Sequence, residues 1–478
     1  MPNNSLPPIT LSQDVEDLLS SGYTTDEWAS IRAALATPPR TTFLRVNTLK
    51  CSRDEALLTA QRFVDEQCKT KNWLPMSVKI HPTLRDVLYI HVEGPLDVSP
   101  SVSEVMVDAL CGNAVLRGAD IFAAGVLAAE SPMKAGDKVS VYVDLDRACL
   151  RGQSKKYTGK KAFLGNGVSL LGRDDLFTVA AADLKGRGIG ILMTEPLYRS
   201  PSLSDLFSDG LSLQNFPSIL VGHALNPQPG ETILDMCAAP GGKTMHIATL
   251  MQNQGTLIAL DRSAQKVTRL SKFLQSQNIS SARAYTCDAS SCVMSDPETQ
   301  EYRTALENGT WKWPNSGSKL KKLPREGFDR ILLDGPCSAM GQRPNFLPSL
   351  APAILTSYPQ YQRSLLHSAH RLLRPGGTLV YSTCTISTQE NEGNVAYALR
   401  TFEDLELVDV SQRVGGKVGM DGVDGKGLSE VERRMCWRFP PGVACGTGLD
   451  GEELESIGFF FAVYRKRIEA GGRKGLFS

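Results

Sequence analysis

The chain has 478 residues, of which 41% are hydrophobic and 22% charged, and it carries 52 Lys and Arg against 51 Asp and Glu. At about 150 residues per domain, this length predicts two to four domains. No apolar run approaches the roughly 18 residues that a membrane-spanning helix needs. These values exclude a disordered chain, a miniature scaffold and an integral membrane protein, and the formal charge of +1 leaves any binding of nucleic acid to local basic patches.

The N-terminal stretch MPNNSLPPITLSQDVEDLL has no basic region followed by an apolar one, and it contains three acidic residues. We therefore expect neither a secretory nor a mitochondrial signal, and a cytoplasmic protein. Eleven cysteines are scattered along the chain without a repeating metal-ligand spacing. In a long chain without a secretory signal, they are expected to be reduced thiols.

Residues 1–110 combine helical and strand patterns. The segment TFLRVNTLK alternates apolar and polar residues, which predicts a strand. Apolar residues recur at helical spacing in Val15 to Leu19, Trp28 to Leu35 and Arg53 to Gln67, and Val87 to Val92 predicts a second strand. A small α+β extension accounts for these patterns.

Residues 111–204 have a different texture, because short β-type runs alternate with glycines. The runs are AVLRGADIFAAGVL, GDKVSVYVDL, KKAFLGNGVSLLG and GRGIGILMTEP. Short strands with glycine turns at this spacing predict a compact β-barrel or sandwich-like domain.

Residues 205–470 alternate buried strands with helices, from TILDM and GKTMHIATLM to TLVYST and IGFFFAVY, with a long helix predicted at Gln360 to Leu373. This alternation predicts an α/β fold with a mostly parallel, doubly wound sheet, whose ligands bind at the carboxyl ends of the strands. Two stretches, 292–326 and 414–427, are predicted to be long surface loops. The first contains WKWPNSGSKLKKLPREG and is interpreted as a solvated basic insertion rather than an RNA clamp.

The segment ILDMCAAPGGKT, at Ile233 to Thr244, predicts a ligand-binding loop between a strand and a helix. Its glycines let a ligand approach the backbone, and the helix N-terminus offers unpaired N–H groups. Asp261 ends the next predicted strand, where a carboxylate can accept both ribose hydroxyls, and Asp288 could face an adenine edge. The loop lacks the G-x-G-x-x-G pattern and a basic contact for pyrophosphate, so a nucleoside such as S-adenosylmethionine suits it better than NAD.

Two further predicted strands are each followed by a cysteine: Cys337 comes after FDRILLD and Cys384 after TLVYST. In a doubly wound sheet both strand ends reach one cleft. A single free cysteine is more often a small buried hydrophobe, but these two share their strand-end positions with a carboxylate and the cofactor loop. The two cysteines are therefore candidates for nucleophilic catalysis.

DMCAAPGGKT resembles the cofactor motif of the NSUN (Sun-domain) family of RNA cytosine-5 methyltransferases. The resemblance implies that Cys384, in a Thr-Cys motif, is the nucleophile and that Cys337, in a Pro-Cys motif, assists product release. Asp334 would contact the ring nitrogen that gains electron density, and Lys243 would place positive charge near the base or the thiolate. The residues implied to surround S-adenosylmethionine are Cys237, Ala238, Ala239, Pro240, Gly241, Gly242, Lys243, Asp261, Asp288 and Asp334.

The chain departs from the usual Asp-Ala-Pro-Cys-Ser-Gly of that family, because it has Gly335 and Ala339 at the second and sixth positions. Neither change removes a functional side chain. Ala339 would be strained if its position required a positive φ.

The stretch LDRACLRGQSKKYTGKK carries six basic residues against Asp146, and Tyr157 could stack on a base. A solvated charged loop is the alternative on composition alone. VLRGADIFAAGVL, FLGNG and GRGIGILMTEP resemble a PUA domain, a small β-barrel that binds structured RNA and marks one type of NSUN enzyme. The candidate RNA contacts are Arg117, Arg151, Lys155, Lys160, Lys161 and Asn166.

The resemblance implies a monomeric, S-adenosylmethionine-dependent tRNA methyltransferase that forms 5-methylcytidine in the acceptor stem next to the CCA end. Its class I methyltransferase domain (205–470) would carry an N-terminal α+β extension (1–110) and an embedded PUA β-barrel (111–204). The alternatives are the same chemistry on ribosomal or messenger RNA, and a non-catalytic RNA-binding or assembly protein. DNA is disfavoured, since DNA enzymes generally take their nucleophile from the Pro-Cys motif.

No metal site is predicted from the histidines. His223, His246, His367 and His370 are too dispersed, or too ordinary in their helical setting, to be assigned as ligands. We also expect no membrane contact.

Overall fold

The computed structural model describes residues 5–101, 103–178, 186, 188–203, 206, 210–348 and 350–468. In these ranges the strands form three larger sheets and one hairpin. None of the described helices is long and apolar enough to cross a membrane.

A four-stranded sheet organises the N-terminal part. Its strands lie in the order β10 (Leu211–Leu213), β1 (Thr41–Val46), β3 (Val87–His91) and β2 (Val78–Ile80). The predicted strand TFLRVNTLK is confirmed but ends at Val46, because the Asn47 side chain accepts a hydrogen bond from the backbone N–H of Leu49 and turns the chain. Capping boxes at Thr24 and Ser52 begin the second and third helices. The elements are α1 (Gln13–Ser20), α2 (Thr25–Leu35), β1 (Thr41–Val46), α3 (Arg53–Lys71), β2 (Val78–Ile80) and β3 (Val87–His91).

A six-stranded sheet follows, in the order β5-β9-β8-β7-β4-β6. It starts earlier than the predicted limit at residue 111, because β4 pairs with both β6 and β7, whereas the glycine spacing that suggested the limit begins only after β4. The stretch around Ala114 is helical rather than a strand, since the Asp108 carboxylate caps α4. The elements are β4 (Ser103–Val107), α4 (Ala109–Leu116), β5 (Ile121–Phe122), β6 (Val126–Ala129), β7 (Lys138–Asp144), β8 (Lys161–Ser169), α5 (Arg173–Phe177) and β9 (Ile189–Pro196).

The chain then returns to the first sheet before it enters the third. β10 (Leu211–Leu213) pairs antiparallel with β1, so these residues complete the N-terminal sheet, although they lie beyond the predicted domain limit at 205. Helix α6 (Phe216–Leu225) follows, and all of its residues except His223 are buried between the N-terminal and third sheets, as its mostly apolar sequence requires. The six-stranded sheet is thus an insertion in the chain that forms the N-terminal sheet.

The third sheet has eight strands in the order β13-β12-β11-β14-β15-β20-β16, with β17 paired to β20. The first five of these are parallel and β20 is antiparallel, which confirms the predicted doubly wound fold. The order reverses between β11 and β14, so a crevice opens there at the carboxyl ends of the strands. The strands are β11 (Thr232–Asp235), β12 (Thr256–Asp261), β13 (Ala282–Thr286), β14 (Phe328–Asp334), β15 (Leu373–Thr383), β16 (Leu405–Leu407), β17 (Trp437–Phe439) and β20 (Phe459–Lys466); β18 (Ala444–Thr447) and β19 (Glu453–Glu455) form the hairpin.

Helices cover both faces of this sheet. The long helix predicted from Gln360 begins earlier, at Pro352, which occupies the first turn where no N–H bond is lost, and it runs through Pro359. The stretch 292–326 is not simply a loop, because it contains α9, whereas 414–427 has neither a helix nor a ladder strand. The helices are α7 (Gly242–Leu250), α8 (Ala264–Ser276), α9 (Asp296–Glu307), α10 (Pro352–Leu372), α11 (Glu392–Thr401) and α12 (Glu430–Met435).

Candidate active site

The predicted cofactor loop joins β11 to α7 and is held by its neighbours. The backbone N–H of Met236 donates to Leu332 O at 3.0 Å and that of Ala238 to Leu260 O at 2.7 Å. Gly241 has φ +116°, and a Cβ there would lie 2.6 Å from the Leu270 side chain, so only glycine fits this turn. The loop is therefore rigid before any ligand binds.

A cavity of about 430 Å³ lies beside this loop at the switch point of the sheet. Cys237 and Asp261 are the predicted residues in its wall, and the N–H of Ser263 orients the Asp261 carboxylate at 2.8 Å. The wall is mostly apolar with few polar groups, which suits an adenosine-sized ligand. Residues that the sequence reasoning missed also line it: Met236, Arg262, Ser263, Lys266, Tyr358 and Tyr361.

The other predicted cofactor residues surround the cavity without forming its wall. Ala238, Ala239, Pro240, Gly241 and Gly242 lie along the loop. Asp288 is exposed between two residues of the wall, and its carboxylate accepts hydrogen bonds from the backbone and the hydroxyl of Ser290.

Lys243 and Asp334 form an ion pair at the start of α7 and the end of β14. Their Nζ and Oδ2 atoms are 2.8 Å apart, and Ser382 donates its hydroxyl to the other Asp334 oxygen at 2.6 Å. The Lys243 ammonium also lies 5.3 Å from the centre of the Phe459 ring. These two side chains, which are both among the predicted catalytic residues, are thus fixed to each other where α7 begins and β14 ends.

The two predicted cysteines meet at the ends of β14 and β15. Their sulfur atoms lie 3.4 Å apart, a hydrogen-bond contact rather than a disulfide. The hydrogen bond from the Cys337 thiol lowers the pKa of Cys384, and Gln342 and the Lys243 ammonium also lower it, against the raising effects of burial and of Asp334. The same hydrogen bond and burial raise the pKa of Cys337 well above its usual value. Cys384 is therefore the favoured thiolate of the pair and Cys337 its proton donor.

Buried polar residues that the sequence reasoning missed hold the two cysteine loops. The Ser338 backbone N–H donates to Glu390 Oε2 at 3.0 Å, and Gln362 Nε2 donates to both that oxygen and the carbonyl of Pro336, each at 2.9 Å. A hydroxyl contact of 2.7 Å between Ser338 and Thr385 joins the loops directly. Burial raises the pKa of Glu390. These contacts fix the backbone on both sides of Cys337.

Ala339 has φ +55°, the left-handed conformation that an alanine adopts only with strain. The tight turn places Gly341 against the backbone of Gly458, whose oxygen would lie 2.1 Å from a Cβ at Gly341. Ala339 therefore has the positive φ at which we expected this alanine to be strained.

Two buried ionisable residues, Arg45 and Asp235, form hydrogen bonds next to the cofactor loop. Arg45, from β1, donates to Gln214 at 2.7 Å and to the carbonyl of Gly242 at 3.3 Å, and burial lowers its pKa to about 10. Asp235 accepts the Thr244 hydroxyl at 2.7 Å, and burial raises its pKa to about 7. The N-terminal sheet thereby contacts the cofactor loop, which no local sequence signal indicated.

The predicted RNA contacts divide into two groups. Arg117, Lys155 and Lys160 are exposed, and within the described chain their side chains form no ion pair. Asn166 is buried and bonds to Ser140 at 2.8 Å and to Glu195 at 2.8 Å, and its role as an RNA contact stays a prediction.

Three more residues of the basic stretch bond within the domain. Lys161 pairs with Glu104 and lies over the Tyr142 ring. Arg151 donates to two backbone carbonyls and packs on Phe177, although part of it is exposed. The predicted stacking residue Tyr157 is buried, with its hydroxyl on Asp144 and Asp146.

Asp86, His223 and His246 converge at the junction of the N-terminal and third sheets, so these two histidines are not dispersed. Among the described residues they form a group compact enough to hold a metal ion. Each Nε2 atom instead lies 2.9 Å from a different Asp86 oxygen, which is hydrogen-bond geometry. Burial lowers the pKa of His246 to about 3, which keeps it neutral, and the two histidine bonds hold the pKa of Asp86 below its usual range against the effect of burial.

A doubly wound sheet with a nucleoside-sized cavity at its switch point, and a thiol pair at the adjoining strand ends, defines a class I methyltransferase. The profile of the 16S rRNA methyltransferase RsmB/F family matches residues 222–426. A mouse protein named tRNA (cytosine(72)-C(5))-methyltransferase NSUN6 is 41% identical over 96% of this chain and 97% of its own. The chain belongs to the NSUN family of RNA cytosine-5 methyltransferases, and its cofactor is S-adenosylmethionine.

Two further similarities extend over nearly the whole chain. The Arabidopsis thaliana rRNA (cytosine-C(5))-methyltransferase NOP2C is 30% identical over 96% of this chain and 91% of its own. The crystal structure of NSun6 from Pyrococcus horikoshii with SFG has a TM-score of 0.70 and 25% identity, and covers 98% of this chain and 100% of its own. The similarity is therefore not confined to the catalytic motifs.

Proposed function

We propose that this enzyme methylates carbon 5 of a cytidine in the acceptor stem of tRNA, next to the CCA end. The chemistry is supported above all by the 3.4 Å contact between Cys337 and Cys384 beside the Lys243–Asp334 ion pair. The substrate is supported by the mouse relative, whose name specifies cytosine 72 of tRNA and which aligns with 96% of this chain.

The cofactor fits the cavity beside the cysteines, where Cys237 and Asp261 would contact it, with Asp288 at the rim. S-adenosylmethionine supplies an electrophilic methyl group there. The Cys384 thiolate adds to carbon 6 of the cytosine and makes carbon 5 nucleophilic. Asp334 contacts the ring nitrogen that gains electron density, and Lys243 holds that carboxylate at 2.8 Å.

Cys337 acts in the second half of the reaction. Once carbon 5 carries the methyl group, a base must take the carbon 5 proton so that the 5,6 double bond re-forms and the bond between carbon 6 and the Cys384 sulfur breaks, which returns the thiolate. Cys337 is placed within 3.4 Å of that sulfur and supports this release. The bonds from Ser338 and Gln362 to Glu390 keep Cys337 in position.

The six-stranded sheet and its helices act as a PUA-type RNA-binding domain inserted within the N-terminal extension. Arg117, Lys155 and Lys160 are the side chains that remain available to phosphates. Duplex RNA is difficult to read by sequence, so a second domain that binds the CCA end would set the register while the catalytic cleft extracts the target base.

The enzyme is further proposed to act as a monomer in the cytoplasm and not on DNA. Among the described residues no disulfide is present, which suits a reducing compartment. The large shared core of the first and third sheets already buries α6 within one chain.

Ribosomal RNA is the second candidate substrate for the same chemistry. It is favoured by the rRNA methyltransferase profile at residues 222–426 and by the plant relative, which is named for ribosomal RNA. The profile covers only the catalytic region, whose motifs do not encode the substrate, and the plant relative is less similar to this chain than the mouse protein, at 30% against 41% identity.

The deciding experiment is methyl transfer from labelled S-adenosylmethionine to unmodified tRNA transcripts with and without the CCA end, with the product mapped at base resolution. We expect 5-methylcytidine in the acceptor stem, and its loss when CCA is removed. Methylation of ribosomal RNA fragments alone would support the second candidate and contradict the tRNA assignment.

A further inference from the structure

Two segments of the third-sheet region contain no acidic residue: 262–287 and 308–325. The whole chain is almost balanced in charge, yet these segments together carry ten basic residues. The residues are Arg262, Lys266, Arg269, Lys272, Arg283, Lys312, Lys319, Lys321, Lys322 and Arg325. The positive charge of this region is therefore a local feature.

The fold joins the two segments at the outer edge of the sheet. The hydroxyls of Ser271, on α8, and Ser316 are 3.2 Å apart, and the Ala284 N–H of β13 donates to Ser316 at 3.0 Å. Gly317 then donates to the Ala284 carbonyl at 2.7 Å, and Lys319 forms a parallel bridge with Thr286. Part of the insertion thus extends the sheet beyond β13 and lies next to α8.

Most of the basic side chains on this edge have no acidic partner. Lys322 and Arg325 pair with Glu298 and Asp296 of α9. Arg262 belongs to the wall of the cofactor cavity. The seven others are exposed and form no ion pair within the described chain, and we name them the edge basic surface: Lys266, Arg269, Lys272, Arg283, Lys312, Lys319 and Lys321.

Aromatic packing makes the insertion a folded unit. The rings of Trp311 and Tyr302 meet edge to face at 4.7 Å, those of Trp311 and Trp313 at 5.9 Å, and the Tyr285 hydroxyl donates to the carbonyl of Pro314 at 2.8 Å. The indole rings are half-buried in these contacts, and the exposed Lys312 lies between the two tryptophans in the sequence. The surface offers cations rather than free aromatic faces, which suits phosphate groups rather than bases.

The edge basic surface begins at the rim of the cofactor cavity, because Lys266 is part of the cavity wall. From there α8, with 13 residues, extends about 20 Å along the edge. We propose that this surface binds the phosphate backbone of the RNA substrate outside the target cytidine. The proposal rests on the proposed function, in which that RNA is tRNA.

An acidic protein or an anionic lipid surface would also be attracted to seven cations. RNA is favoured because the surface is continuous with the rim of a site whose substrate is RNA, and because the cations follow an extended edge as phosphates follow a strand. Contacts of this kind release counterions, so their loss lowers both the affinity and its dependence on salt.

The test uses the full chain with four substitutions remote from the cavity wall, Arg269→Gln, Lys272→Gln, Lys312→Gln and Lys321→Gln. We expect the Kd for tRNA to rise at least about tenfold at low salt and the slope of log Kd against log salt to fall by about one per lost contact. The KM for tRNA should rise with kcat and the methylated position unchanged. The matched control removes four exposed cations elsewhere, by Arg62→Gln, Lys69→Gln, Arg85→Gln and Arg400→Gln.

An equal loss of affinity in both sets would overturn the proposal, since it would show only an effect of net charge. The proposal would also be overturned if the four substitutions left the Kd for tRNA and its salt slope unchanged. The same holds if they weakened binding only to anionic vesicles or to an acidic protein. If the wild type methylates ribosomal RNA and not tRNA, the tRNA assignment fails, and the same comparison on the RNA that is methylated still decides the role of the surface.

Discussion

The catalytic edge of the third sheet and the basic stretch of the six-stranded sheet use their polar residues in opposite ways. At the catalytic edge, Lys243 pairs with Asp334 and Cys337 contacts Cys384, beside strand ends that open into a crevice. In the six-stranded sheet, Lys161 is neutralised by Glu104 within the fold. A charged residue in a motif therefore indicates a site only if its partners are functional neighbours rather than structural ones.

The strongest test of the catalytic half of this comparison is Cys384→Ala. Without the thiolate, carbon 5 of cytosine is not activated, so we expect methyl transfer to fall by at least about a thousandfold. The measurement is single-turnover transfer of labelled methyl to tRNA, and cofactor binding should remain as in the wild type. Normal turnover would show that the roles of the two cysteines have been assigned wrongly.

Lys243→Met should lower the rate about a hundredfold at neutral pH. The hydrogen bond from Cys337 is the main cause of the low pKa of Cys384, and Lys243 adds to it. The substitution removes the Lys243 ammonium and leaves the Asp334 carboxylate without its ion-pair partner. The pKa of Cys384 therefore rises, and the fraction of Cys384 that is thiolate at neutral pH falls. The rate should then recover partly as pH increases, and a rate against pH profile with the wild-type midpoint would contradict this role.

Asn166→Ala tests the structural half of the comparison. The substitution removes hydrogen bonds to Ser140, Glu195 and the carbonyl of Ser99, so we expect a loss of about 2 kcal/mol in the free energy of unfolding. Lys155→Ala should instead weaken tRNA binding with stability unchanged, because that side chain is exposed. The measurements are urea unfolding and tRNA binding of both variants. If Asn166→Ala weakened only tRNA binding and Lys155→Ala lowered only stability, the comparison would be wrong.

The smallest expected effect is at Ala339, where φ is +55°. Ala339→Gly should raise stability by about 0.5–1 kcal/mol, because glycine adopts this conformation without strain. The control is Ala29→Gly, at an exposed position inside α2, which should lower stability by about 1 kcal/mol. Changes of the same sign in thermal unfolding would argue against strain at Ala339.

The sequence predicts the sheet and the catalytic edge because both depend on short contiguous strings. Strand-end residues such as Asp334 and Cys384 are brought together by parallel pairing alone. The basic stretch is less predictable, since Glu104 lies 57 residues from Lys161 and no local pattern marks their pairing. The same holds for Tyr358 and Tyr361, whose helix gives no sign of the cavity that they line.

In the proposed mechanism Cys384 attacks the base and Cys337 releases the product. The test is to incubate the Cys337→Ala enzyme with tRNA and S-adenosylmethionine, and to map any covalent protein–RNA adduct by mass spectrometry. We expect an accumulating adduct that joins Cys384 to a methylated acceptor-stem cytidine. Steady turnover without an adduct, or an adduct on another residue, would contradict it.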